Sequence, residues 1–154
     1  MNGDCPTDMV KDLVSAKENR KMMAVLRRSL SPTLEHKAFP YLIRWVNITN
    51  ERDRTVAMCV AGCFALHKEH SDSAGSLGAS LKQLAKSRHT RNPEEAFSKR
   101  FLKIVGGERD AACKHVSLAI RSLKGVPVNY ELLLKDLWYW NDRVRRTWAQ
   151  EYWG

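Results

Sequence analysis

Long apolar runs are missing from this chain of 154 residues. No stretch approaches the ~18 consecutive apolar residues that a membrane-crossing helix needs. Strict alternation of apolar and polar residues is missing as well, which removes the signature of half-buried strands. Met1 to Lys11 includes Asp4 and Asp8 and lacks the basic-then-apolar layout of a secretory signal, so a cytoplasmic protein is expected. Cysteine is scarce: Cys5, Cys59, Cys63 and Cys113 are the four. In that compartment they are expected as reduced thiols, three of them packed like small hydrophobes.

Groupings that support catalysis are also wanting. Cys59, Cys63, His67 and His70 tempt a metal reading, but ligands at i, i+4 and i+8 of one helix spread over about 12 Å and cannot converge on one ion. His67-Lys68-Glu69-His70 misses the spacing of a zinc-protease helix. Gly75-Ser76-Leu77-Gly78 lacks the Gly-Lys-Ser/Thr ending of a phosphate loop. Glu94 and Glu95 are accounted for by the positive end of a helix dipole, while Asp136 and Asp142 lie near basic partners. No enzyme, no metal and no cofactor are therefore expected.

Acid is the minority charge, with 17 Asp and Glu against 26 Lys and Arg. The imbalance is uneven. Residues 1–75 carry eleven basic and nine acidic side chains, whereas residues 76–154 carry fifteen and eight. A field of that sign gathers polyanions, which points to nucleic acid or an anionic membrane surface, although cations also keep helical surfaces soluble.

Apolar residues recur at spacings of three and four almost throughout, so the chain is read as all-α, a bundle of about eight helices. Thr7 is expected to cap a first helix with Met9, Val10, Leu13 and Val14 inward. A second starts near Arg20 and ends at Arg27 and Arg28. A third holds Leu42, Ile43, Trp45 and Val46, and a fourth follows a cap at Asn50. The Ser, Gly and Asp loop from His67 to Gly78 suggests a boundary between an N-terminal lobe, 1–70, and a basic C-terminal bundle of four helices, 76–154. Within the latter, Leu77, Leu81 and Leu84 mark one helix, followed by a basic connector at 87–92. Asn92-Pro93-Glu94-Glu95 opens the next, which buries Phe97, Phe101, Ile104 and Val105 and stops at Gly106 and Gly107. Ala112 to Leu123 forms another. After Asn129 a single last helix is expected, with Leu133, Leu137, Trp140, Val144 and Trp148 as its seam.

The remaining signal is basic. Lys99, Arg100 and Lys103 share one helix face, where like charges repel by a few tenths of a kcal/mol unless an outside anion or Glu95 offsets them. Tyr139, Arg143 and Arg146 share another, beside Trp138 and Arg145. Guanidinium groups next to rings suit phosphates and unstacked bases, although Trp138 also reads as core. Arg27 and Arg28 fit either a helix C-terminus or a phosphate.

The order of motifs resembles the small subunit, the CasB family, of the type I-E Cascade complex of CRISPR RNA-guided DNA surveillance. The resemblance runs through Leu26-Arg27-Arg28, Ala38 to Arg44, Ser76-Leu77-Gly78 with Leu81 and Leu84-Ala85, and Phe97 to Phe101. It continues through Leu118 to Leu123, Leu133-Leu134 with Leu137 and Trp140, Asp142 to Arg146, and Tyr152-Trp153. Order and spacing carry it rather than any one motif. It implies a non-catalytic, all-helical subunit, present in two copies, that contacts other Cascade subunits, CRISPR RNA and target DNA, with no membrane and no small-molecule substrate. The basic positions it carries over are Arg27, Arg28, Arg44, Lys99, Arg100, Arg121, Arg143 and Arg146. They would stabilise the guide-target duplex and the displaced strand of the R-loop. The connector at His89-Thr90-Arg91-Asn92 is longer than the family's turn, so Arg88 and Arg91 are not assigned. A free-standing helical DNA-binding regulator and a protein-protein scaffold are the alternatives.

Overall fold

Asparagine side chains start four of the helices and set much of the local geometry. Asn19, Asn50, Asn129 and Asn141 each hold an extended backbone and accept a hydrogen bond from the N–H three residues on, from Met22, Asp53, Leu132 and Val144. Each bond satisfies a donor that the first turn leaves orphaned. The structure, a computed structural model, describes residues 3–87 and 93–154, with the side chains of 93–97 excepted. The expected cap at Asn92, the side chains of Glu94, Glu95 and Phe97, and the connector through 88–92 lie outside the described residues.

Among the described residues there are nine α-helices and one 3-10 helix: α1 (Met9–Ser15), α2 (Arg20–Arg28), the 3-10 helix Pro32–Ala38, α3 (Phe39–Leu42), α4 (Glu51–Leu66), α5 (Leu77–Ser87), α6 (Pro93–Val105), α7 (Arg109–Ile120), α8 (Tyr130–Trp138) and α9 (Asp142–Trp153). None is long and apolar enough to cross a membrane. The one extended pairing among them is an isolated parallel bridge between His70 and Val128.

Helix α4 organises the packing. It buries residues all round, from Val56 to Ala65, because α2, α7 and α8 each lie against it. Helix α5 packs on α9, and α6 on α7 and α9. The buried side chains from Met9 to Tyr152 join in one cluster. Arg52 ties the start of α4 to α8: its guanidinium sits 4.6 Å over the Trp138 ring and 2.8 Å from the buried Asp53 carboxylate. The loop after α4 is stitched to the segment before α8. Val128 bonds to Glu69 and Ser71, the Gly125 N–H donates to Glu69, and the Tyr130 N–H donates to His70 Nδ1.

Three local expectations need correction. Thr7 does not cap α1: Asp8 holds the cap position with an α backbone (φ −81, ψ −12) and makes no side-chain cap bond. The third helix comes earlier than its apolar spacing suggests. The 3-10 turns from Pro32 run into Phe39-Pro40, where a proline's missing N–H does no harm, and the helix stops at Leu42, leaving Ile43 61% exposed. The last helix is two helices. Arg109 of α7 donates from Nε and Nη2 to the carbonyls of Leu137 and Trp138, ending α8, and Asn141 starts α9. The break lets the Trp140 indole N–H reach the Gly107 carbonyl at 3.0 Å while its ring meets Trp148 edge-on at 5.1 Å.

Candidate nucleic-acid interface

Helix α7 buries Ala112, Cys113, Val116, Ala119 and Ile120. With that face turned inward, Lys114, Leu118 and Arg121 occupy one outward line, since steps of four and three residues return to the same side of a helix. Lys114 and Arg121 are exposed, and Leu118 between them is 44% exposed. The flank of α7 turned to α6 carries His115. Desolvation, then the charges of Lys103, Lys114 and Arg100, push its imidazole down from the ordinary value. Cations of α6 and α7 therefore share one field.

The line on α7 opens onto a cleft of about 440 Å³ between the end of α2, α4 and α7. Leu30, Pro32, Met58 and Leu118 give it apolar walls; Glu35, Asp110, Lys114 and Arg121 add charge. Ser29 and Leu30, which follow directly on Arg27 and Arg28, line the same cleft as Arg121. Arg100 and Lys103 on α6 thus act together with Lys114 on the α7 flank at His115, and the line on α7 carries on to Arg121 at the cleft that the residues after α2 also line. These are exposed cations of like sign, a positive field of the kind that a polyanion neutralises.

The other carried-over positions stand in smaller groups. Arg143 and Arg146 are exposed on α9 and line a shallow hollow with Thr147, Gln150 and Glu151. Arg44 is exposed after α3, its guanidinium 5.6 Å from the Tyr41 ring centre. Arg145 and Trp138 are not available to a base. Arg145 binds Asp142 at 2.8 Å and the Gly107 carbonyl at 2.9 Å, and lies 5.5 Å from the Trp140 ring. Trp138 is 1% exposed and belongs to the core. Tyr139, by contrast, is 54% exposed at the end of α8. Sequence reading missed Lys114 and His115. The seven-residue interval from Lys114 to Arg121 was a usable signal, but nothing local shows that α6 lies alongside.

Cys59 and Cys63 both face Ser117 of α7, whereas His67 and His70 turn to other partners. Cys59 Sγ lies 3.5 Å from the Cys113 carbonyl, and Cys63 Sγ lies 3.8 Å from Ser117 Oγ. Hydrogen bonding with Cys59 and then burial push the Cys63 and Cys113 thiols well up. His67 Nε2 donates to the Val126 carbonyl at 2.6 Å. His70, Asp72 and Glu131 do bring ligand atoms within 4.8 Å of one another. His70, however, already uses one nitrogen for the Tyr130 N–H and the other for Asp72.

Residues 22–153 match the family model of CRISPR-associated protein Cse2. The fold is shared with CasB from Thermus thermophilus (TM-score 0.71, 24% identity, covering 96% of this chain and 95% of that one) and with CasB from Thermobifida fusca (0.68, 17%, 96% and 95%). It is also shared with a chain of the E. coli Cascade structure bound to a PAM-containing dsDNA target (0.66, 18%, 92% of both chains). No curated protein sequence matches. A match from Met22 to Trp153, nearly the whole chain, is decisive: the chain belongs to the CRISPR-associated Cse2 family, that of the CasB small subunits.

Proposed function

We propose that the chain is a non-catalytic subunit of a cytoplasmic type I-E Cascade complex in antiviral defence. It holds nucleic acid through phosphate contacts and supports both the guide-target duplex and the displaced strand of the R-loop. The observation that carries this reading is the set of exposed cations on α6 and α7, whose line on α7 reaches the cleft at the end of α2. Its partners would be CRISPR RNA, target DNA, the other Cascade subunits and a second copy of the chain, with no small-molecule substrate. The family match and the likeness to a chain of a DNA-bound Cascade support the setting.

R-loop formation exchanges one duplex for another of similar stability, so modest phosphate contacts can tip it. Such contacts need no base readout, because pairing with the guide supplies sequence. Arg143 and Arg146 extend the same chemistry to α9. The test is reconstitution of the complex with Arg100→Glu, Lys103→Glu and Arg121→Glu combined. R-loop yield should fall on every matched target, while helicity and assembly stay unchanged. An unchanged yield in an assembled complex would move the working surface elsewhere.

A further inference from the structure

We infer that the hollow where α5, α6 and α9 meet is a stacking site for one unstacked nucleotide of a DNA single strand, its base on the Trp153 ring and its phosphate on Lys82 and Lys86. This rests on the reading of the chain as a nucleic-acid-binding subunit, and adds an aromatic contact to the phosphate contacts already described.

The hollow has a volume of about 160 Å³. Helix α5 lines it with Lys82, Ala85 and Lys86, α6 with Ser98, and α9 with Tyr152 and Trp153. Lys82 and Lys86 are one turn apart and stand on the same side of α5. The Lys82 ammonium donates to the Gly154 carbonyl, which keeps it beside Trp153 and leaves its other N–H groups for a further acceptor. Lys86 is exposed. Among the described residues, no acidic side chain pairs with either lysine or lines the hollow.

The Trp153 ring is held in place. Its centre lies 5.1 Å from that of Phe101 and 5.2 Å from that of Tyr152, and its plane is steeply inclined to both, at 75° and 81°. Phe101 and Tyr152 are themselves buried and stack on each other at 4.4 Å. Trp153 nevertheless remains 48% exposed. A ring fixed by its neighbours loses little freedom on binding, and every base has a face that can lie on an indole. Bases inside a duplex lie on one another, so an unpaired strand is what offers such a face. Tyr152 OH and Ser98 Oγ, 3.4 Å apart, add hydroxyl groups that can bond a base edge or a sugar. An apolar peptide would leave both ammonium groups without an anion, and a free phosphate would leave the indole uncovered.

The experiment compares binding of the full chain to fluorescein-labelled oligo(dT) and to an abasic oligonucleotide of the same length, which has the same phosphates and no bases. Wild type should bind oligo(dT) at least about fivefold more tightly, the least that one stacked base contributes. Trp153→Leu keeps an apolar side chain against Phe101 but has no stacking face, and should lose most of this preference. Trp153→Phe should retain part of it. Lys86→Ala should lower the salt slope by about one unit for both strands. In wild type, nuclear magnetic resonance should show the Trp153 indole signal moving with oligo(dT) and staying with the abasic strand, a readout that holds even where Trp153→Leu does not fold. Equal binding of the two strands, a preference that survives in Trp153→Leu, an unmoved Trp153 signal, or an unchanged slope in Lys86→Ala would overturn the inference while leaving the phosphate reading intact. A chain that binds neither strand overturns both.

Discussion

Asp136 shows how one side chain can stabilise and burden the same core. Its Oδ2 accepts the indole N–H of Trp148 at 2.7 Å, and that ring is fully buried. Burial raises the carboxyl's pKa; the Trp148 bond pulls the other way, and Glu151 adds to the rise. The folded protein therefore binds a proton at Asp136 more readily than the unfolded chain. The stability this adds is complete below the unfolded value of about 3.9 and is lost as pH rises through the folded one. Asp136→Asn keeps an oxygen for the indole and removes the charge. Its unfolding free energy should vary less with pH across that window, with little loss at neutral pH. Asp136→Ala leaves a buried donor unmatched and should cost about 1–3 kcal/mol. Urea denaturation of both variants at several pH values checks the pair.

Between elements, α5 approaches α9 closely at a glycine. A Cβ on Gly78 would lie 2.3 Å from the Trp148 carbonyl oxygen and 3.1 Å from its Cα. Those are backbone atoms of a neighbouring helix and cannot rotate away. Alanine gains about 0.8–1.0 kcal/mol in helix propensity over glycine. The clash, at about 1–3 kcal/mol or more, should outweigh it. Gly78→Ala is thus expected to lower the urea midpoint, and a raised midpoint would show that α5 can shift without loss. The same contact anchors α9, so the variant should also disturb Arg143 and Arg146, which project from that helix.

Across the molecule, charge acts through its sum and its distribution. The isolated chain should bind single- and double-stranded DNA with no sequence preference and with affinity falling steeply as salt rises. Replacing Lys99, Arg100, Arg143 and Arg146 with Ala should leave stability within about 0.5 kcal/mol, since all four are exposed. For every phosphate that a removed cation had neutralised, the salt slope should fall by about one unit. Fluorescence anisotropy at several salt concentrations measures that slope. A slope equal to that of wild type would mean these four cations do not meet phosphate.

What the sequence determined by itself is what local chemistry enforces. The helical class follows from the spacing of apolar residues. The starts of α4 and α8 follow from Asn50 and Asn129, because a cap is made within three residues of its own position. The end of α6 follows from Gly106 and Gly107. The seam from Leu133 to Trp148 identified four buried residues, Leu133, Leu137, Trp140 and Trp148, but not the break among them. That break depends on Arg109, some thirty residues upstream, whose guanidinium takes the last carbonyls of α8. The basic residues were visible in the chain, and the family order drew Arg27, Arg28, Arg100 and Arg121 into one set. Only the tertiary structure placed α6 beside α7 and brought α7 to the end of α2. Electrostatic partnership depends on distance through space, and the sequence separation of Lys103 from His115 carries no trace of it.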